Sequence, residues 1–489
     1  GHSLNAAFSL VTTWGLRLAG VPVVHFVCRA GMSRCVLGTD QENLKQAPPC
    51  KRCARQSRIN TLGAQAHFFA FRRDPDLENA IASLSVAELS RDEHRLPEHF
   101  SANTGHFPVG ALVLPALRWR LRIHNLPDDE PTRFLFREFM LSAWNVLGEF
   151  EALLRQADPQ AVVVFNGQFF PEAAARWLAL QRGLPVISHE VGLRPMTAFF
   201  TPGEATIYPI DIPATAKLDA QQNARLDDYL ENRFQGKFTM AGVQFWPEME
   251  GLDEAFLQKA AGFAQIVPIF TNVIFDTSQP HSNVIFPDMF AWLEAVLRVI
   301  REHPETLFVL RAHPDESRPG KASRESVAGW VQANGVADLP NVVFIPPDQY
   351  LSSYELIRRS KFVMIYNSTI GLEAVILGAA VLCAGKARFT QYPTVHFPPD
   401  RGAYLARLEE FLNAHQVEPL PEHLPQARRF LYYQLFLSCL PFADFLEPTE
   451  QRGYVEIKPG ILHRLKPDHP AIATILDGLL HGGDFLLKE

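Results

Sequence analysis

A chain of 489 residues, 47% hydrophobic and 20% charged, is long enough for two or three domains and has the make-up of a water-soluble globular protein. Its formal net charge of −7 speaks against nucleic acid as a partner, which a basic face or stripe would serve. No apolar run reaches the roughly 18 residues of a membrane-spanning helix and no signal-peptide pattern opens the chain, so a cytoplasmic protein with its 6 Cys reduced is expected.

Residues 4–18 read as a helix with apolar residues on most faces, closed by Gly20 before a strand over 21–27. Four thiols follow. Cys50 and Cys53 have the spacing that lets two thiolates meet one metal, and Cys28 and Cys35 could complete a tetrahedral structural zinc set; the alternative is four reduced thiols in a loop-rich region. Apolar residues recur at helical spacing over 76–89 and 133–154. Between them, Arg118, Trp119, Arg120 and Arg122 read either as a contact for an anionic acceptor or as a solvated helix face. Asp128-Asp129-Glu130, after Pro127, reads as solvated loop. The short apolar run 161–165 has the form of a parallel strand buried on both faces. It ends in Asn166-Gly167, passes through a helix over 171–181 and returns through Gly183 to a strand over 185–188, which makes a βαβ unit. The second strand delivers His189-Glu190-Val191-Gly192 to the carboxyl end of the sheet, where ligands of open α/β folds bind.

A Pro-punctuated stretch over 201–215 and a polar helix over 217–234 lead to a change of composition over 236–254, where the domain junction is expected. Strands at 266–272, 307–310, 342–345 and 362–365 then alternate with helical segments, the pattern of a second parallel sheet. The expected fold class is therefore α/β, with two Rossmann-like doubly wound domains, 1–240 and 241–415, and a C-terminal helical segment, 416–489, lying across them. Within 425–445, Phe430, Tyr432, Tyr433, Phe436, Leu440 and Phe442 stand beside Arg428 and Arg429. Such a segment either lies on a membrane interface or forms core between domains.

Two strand ends carry the chemistry. In Tyr366-Asn367-Ser368-Thr369-Ile370-Gly371-Leu372-Glu373-Ala374 a strand turns directly into a helix, which aims two hydroxyls and unpaired backbone N–H groups at one point and suits a phosphate. Arg311-Ala312-His313-Pro314-Asp315-Glu316 ends another strand. Either motif alone is an ordinary cap or turn. On one rim, Arg311 and His313 facing Ser368 and Thr369 make a metal-free phosphate site.

The pair, completed by a short strand ending at Gly385, resembles bacterial capsular polysaccharide biosynthesis glycosyltransferases of the GT-B fold, in which two Rossmann-like domains face a cleft. The resemblance extends to Phe165-Asn166-Gly167, to His189-Glu190-Val191-Gly192, to Thr271-Asn272 and to the early Cys segment. The same layout occurs in 3-deoxy-manno-octulosonate transferases, bacterial sialyltransferases and teichoic-acid glycerophosphotransferases. It implies a nucleotide-sugar donor held by Arg311, His313, Pro314, Asn367, Ser368, Thr369 and Glu373, the last toward the ribose or base. It implies a general base at Glu190 or His189, left open because His189 replaces the first acid of the related motif, and cleft or acceptor positions at Asn166, Gly167, Gly192, Thr271 and Asn272. The acceptor is then an oligosaccharide or lipid-linked glycan, transfer needs no metal cofactor, and the protein works in the cytoplasm, with peripheral contact at the inner face of the plasma membrane. Two alternatives stand beside this reading: a CDP-polyol phosphotransferase of teichoic-acid type, and a non-catalytic nucleotide-binding protein of the polysaccharide export machinery.

Overall fold

The computed structural model describes residues 1–100, 102–206, 209–235, 250–318, 320, 322–451 and 453–489. They form two units, Gly1–Tyr208 with Leu437–Glu489, and Pro209–Phe436. The α/β class expected from the alternation of strands and helices is the one the chain adopts.

In the second unit the continuous apolar runs become five strands, β1 (Gln265–Phe270), β2 (Thr306–Arg311), β3 (Val342–Ile345), β4 (Val363–Ile365) and β5 (Val381–Cys383). Each neighbouring pair is parallel and the order is β3-β2-β1-β4-β5. Every residue of β2, β4 and β5 is buried, as expected of strands covered on both faces. Their carboxyl ends are level, since Phe270 of β1 pairs with Arg311 on one side and Ile365 on the other. The order reverses between β1 and β4, which opens a crevice at those ends. Helix Met289–Glu302 joins β1 to β2; Asp288 caps it by accepting the Ala291 N–H at 2.9 Å, and Trp292, fully buried, donates to the Tyr404 hydroxyl at 2.9 Å.

Polar side chains buried in this unit tie its helices together. Glu373, 3% exposed on helix Ile370–Ile376, accepts the Arg233 Nε–H at 2.7 Å on Oε1 and the Tyr354 hydroxyl at 2.5 Å on Oε2, linking helices Ala220–Phe234 and Ser353–Arg358. Helix His423–Tyr432 lies against helix Ile370–Ile376, and Phe430, Tyr432 and Phe436 are buried. The aromatic segment is thus core rather than a membrane face, because its rings are needed on several sides of the helix.

The units do not follow the expected boundaries at 240 and 415. Helix Ala220–Phe234 belongs with the second unit, held there by Arg233, and the C-terminal segment is divided after Phe436. Most of the stretch proposed as junction, 236–249, lies outside the described residues.

The first unit carries its parallel strands in two separate pairs rather than one doubly wound sheet. Val24–Cys28 pairs with Gln65–Phe69, and Val162–Phe165 with Val186–Val191; the latter sheet continues antiparallel through Thr197–Thr201 to Leu440–Pro441. The hairpin between Val191 and Thr197 turns the chain back before a crossover helix can form. Helix Glu130–Ala157 buries Phe136, Phe139, Met140 and Leu147. Asp129, expected as solvated loop, caps that helix by accepting the Thr132 N–H at 2.9 Å, and Asp128 accepts the Val86 N–H at 2.9 Å. Arg122 is buried with its guanidinium 4.1 Å from the centre of the Trp119 ring, so this basic stretch is not a solvated face. Among the described residues no helix is long and apolar enough to cross a membrane.

Removing one partner of a buried ion pair leaves the other charge uncompensated, at a cost of about 3–5 kcal/mol. Glu373→Ala is therefore expected to lower the urea unfolding free energy by about that amount. A loss below about 1 kcal/mol, the scale of an exposed pair, would show that the Arg233 contact is not a stabilising tie.

Candidate functional site

The sequence motifs fall at the crevice between β1 and β4 and at the neighbouring end of β2. Thr271 and Asn272 continue β1; the Thr271 hydroxyl donates to the Arg311 carbonyl at 2.9 Å and its backbone N–H to the same oxygen at 3.2 Å, fastening β1 to β2. Asn272 Nδ2 donates to Asn367 Oδ1 at 2.6 Å across the strand reversal, and Asn367 Nδ2 donates to the Ser282 hydroxyl at 2.7 Å. Both ends of the Asn367 amide are thereby occupied within the fold.

Three other expected donor contacts divide in the same way. Arg311 is 4% exposed, and its Nη1 donates to the Leu351 carbonyl at 2.5 Å and to the Ser353 hydroxyl at 2.6 Å, so it braces the segment leading into helix Ser353–Arg358. Burial holds its pKa down, to about 10. Glu373 is not solvent-facing; both its oxygens are taken by Arg233 and Tyr354. Pro314 opens the turn Pro314–Glu316 that fixes the loop after His313.

What remains at the rim is uncommitted. The hydroxyls of Ser368 and Thr369, both half-buried, make no hydrogen bond among the described residues. His313 Nδ1 accepts the Asp315 backbone N–H at 3.1 Å, which leaves the neutral ring with its proton on Nε2 and that N–H without a partner among the described residues. Burial lowers the His313 pKa, while Asp315 and Asp276 pull it upward. One N–H after β2 and two hydroxyls after β4 are thus open, on the two strands that flank β1. A cavity of about 590 Å³ elsewhere in this unit, lined by Asp227, Phe234, Arg358 and Arg428 among others, includes none of the motif residues.

In the first unit Glu190, half-buried, is held at both oxygens. Oε1 accepts from Asn5 Nδ2 at 2.7 Å and from the Val191 backbone N–H at 2.9 Å; Oε2 accepts from Asn166 Nδ2 at 3.0 Å. Asn166 has a left-handed backbone, φ 56°, anchored where its N–H donates to the His189 carbonyl at 2.9 Å. Gly167 and Gly192 act through the backbone: Gly167 has φ 81°, and a Cβ at Gly192 would come within 2.3 Å of the Thr197 hydroxyl. His189 is 1% exposed, lies between the rings of Phe165 and Phe200, and shares a hydrogen bond with the Ser9 hydroxyl at 2.8 Å. Burial pushes its pKa down to about 4, so the imidazole is neutral at pH 7. Asn5 and Ser9, one turn apart on helix Leu4–Leu18, were not foreseen as partners of this pair; their only local signal is polar spacing on an apolar helix.

Four of the thiols lie near one another in the early segment. Cys28 and Cys35 each accept a backbone N–H at 3.2 Å, from Gly31 and Gly38, and none of the 6 Cys is in a disulfide. Burial pushes the Cys28 thiol up to about 11, and the nearby Cys35, Cys50 and Cys53 add to the rise. Among the described residues no group of three or more His, Cys, Asp or Glu is placed to hold a metal ion. As they stand, Cys28, Cys35, Cys50 and Cys53 do not form such a group, and burial favours the protonated thiols of Cys28, Cys35 and Cys50.

Residues 258–392 match the family model described as Capsule polysaccharide biosynthesis protein. The matched segment holds both donor-half motifs, so the resemblance they carry is borne out where they lie. Protein FixF of Sinorhizobium fredii (strain NBRC 101917 / NGR234) is 26% identical over 254 residues, 51% of this chain and 54% of FixF; the chain thus spans about half the length of the curated relative it matches. Among solved structures, the KpsC beta Kdo 2,4 transferase of Thermosulfurimonas dismutans is 13% identical with a TM-score of 0.37, covering 63% of this chain and 87% of that one. The KpsC beta Kdo 2,7 transferase of the same organism is 16% identical with a TM-score of 0.33, covering 65% and 88%. Likenesses at these scores carry no functional argument.

His189 titrates at about 6.5 when unfolded and about 4 when folded, so the native state resists its protonation. Its contribution is intact above pH 6.5 and is lost as pH falls toward 4, a change of roughly 3 kcal/mol. Urea unfolding across that window should find the stability advantage of the wild type over His189→Gln shrinking by roughly that amount; a constant difference would mean the ring is not buried neutral.

Proposed function

We propose that the protein is a glycosyltransferase that moves a sugar from a nucleotide-activated donor to a capsular or lipid-linked glycan, without a metal ion. The observation that carries the reading is the set of uncommitted polar groups at the carboxyl ends of the strands flanking β1: the Ser368 and Thr369 hydroxyls and the His313 Nε2–H. The family match over residues 258–392 supports capsule polysaccharide as the setting.

In this reading the donor phosphate accepts hydrogen bonds from those groups. Glu190, kept in place by Asn5, Asn166 and the Val191 N–H, takes the proton of the acceptor hydroxyl. The acceptor oxygen bonds to the anomeric carbon as the bond from that carbon to the phosphate oxygen breaks, and the electron pair leaves with the nucleotide. The His313 Nε2–H and the two hydroxyls then meet the growing negative charge, the effect of preorganised donors on a leaving group. His189 is a poor base in comparison, since a proton arriving on it would have to be accommodated in an apolar enclosure. The same burial counts against the polyol-phosphate alternative, in which His189 would be the base. The carboxylate of Glu190, oriented by three hydrogen bonds, counts against a non-catalytic role.

Calorimetry with CMP, UDP, GDP and CDP should find one nucleotide that binds, and His313→Ala and Ser368→Ala should each weaken it by about tenfold, the worth of a hydrogen bond to a charged group. Binding of none of the four would remove the transferase reading. Glu190→Gln is expected to leave nucleotide affinity unchanged while lowering kcat by roughly 100-fold or more. Full turnover in that variant, with loss in His189→Gln, would reverse the base assignment.

A further inference from the structure

Helix Cys50–Asn60 is set apart from the rest of the first unit because it buries none of its residues. Its half-buried positions, Cys50, Ala54, Ser57 and Asn60, recur every three or four residues and form the inner face. The outer face carries Lys51, Arg55 and Arg58 at i, i+4 and i+7, with Arg52 and Ile59 on its flank, and the helix has no acidic residue. All four cations are exposed, and none has a hydrogen bond or ion pair among the described residues. Large apolar side chains stand out from the ends of this basic stripe. Ile59 is 59% and Leu62 84% exposed at its close. Leu37, 81% exposed, precedes Gly38, where a Cβ would lie 3.0 Å from Pro48, just before the helix starts.

We infer that this face docks the protein on the surface of an anionic phospholipid bilayer. A concentrated positive stripe on a chain of net charge −7 is complementary to acidic headgroups, each cation near such a surface being worth about 1 kcal/mol. The exposed Leu37, Ile59 and Leu62 supply the shallow apolar insertion that distinguishes an interfacial helix from a merely solvated basic one. The C-terminal aromatic segment does not serve this purpose, since its rings are buried. The inference stands on the first unit alone and does not rest on the transfer reaction.

Co-sedimentation of the whole chain with vesicles of phosphatidylcholine alone, and of phosphatidylcholine mixed with phosphatidylglycerol, tests it. Binding is expected only to the mixed vesicles and should weaken with salt. The triple variant Lys51→Gln, Arg55→Gln, Arg58→Gln, which touches no buried contact, should reduce partitioning by roughly 100-fold with the thermal midpoint unchanged, as three neutralised cations require. Leu62→Asp should reduce the salt-resistant part of the binding. Equal binding to neutral vesicles, unchanged binding of the triple variant, or binding of a single-stranded RNA oligomer in the absence of any vesicle binding would each overturn the inference.

Discussion

The amide-to-amide hydrogen bond from Asn272 to Asn367 joins the two strand ends between which the parallel sheet reverses its order. An open α/β sheet gains a ligand crevice at that reversal because the connections on either side run to opposite faces of the sheet. It also risks a loose rim, since β1 and β4 share only two paired positions. The Asn272–Asn367 contact and the Ser282 hydroxyl beyond it restrain the rim from both sides. Ser368 and Thr369 follow directly after Asn367, so their hydroxyls inherit a fixed starting point.

The polar residues of the two motifs therefore separate into those that build the site and those left to use it. Arg311 and Glu373 are too deeply buried to stand unpaired, and the fold has given each a set of internal partners on neighbouring helices or segments. A ligand seeking either would have to break hydrogen bonds that no water could replace. Ser368, Thr369 and His313 sit half-buried, where an unmade hydrogen bond costs little in the free protein and is available to a phosphate. The division is one of desolvation: the most charged members of the motif are the structural ones.

Strand and helix order in the second unit was legible because strands buried on both faces appear as continuous apolar runs, as in Leu307-Phe308-Val309-Leu310. The strand-end placement of His313 and Ser368 followed from that order alone. The partners of Glu373 could not be read, since Arg233 lies 140 positions away and nothing local marks it as buried. The same holds for Asn5 and Glu190, 185 positions apart. In the first unit the βαβ reading of 161–188 was sound, but a short apolar run does not say whether the next strand returns parallel or antiparallel. Gly192, read as a site residue, is required by the close approach of Thr197 that makes the antiparallel return possible.

His189 and Glu190 are neighbours in the chain with opposite fates, and the difference is physical rather than chemical. An imidazole can be buried by staying neutral, and between Phe165 and Phe200 it does so, its pKa driven down to about 4. A carboxylate buried in the same enclosure would have to take up a proton; Glu190 instead remains half-buried and collects hydrogen bonds from Asn5, Asn166 and the backbone of Val191. Those donors fix its orientation, and a base must keep that orientation while remaining open to an incoming hydroxyl. His189 contributes by filling the space behind Glu190 and, through its Ser9 contact, by holding helix Leu4–Leu18 where Asn5 can reach the carboxylate. Of the two neighbours the carboxylate is thus the one the fold leaves accessible, and the imidazole beside it is part of the wall.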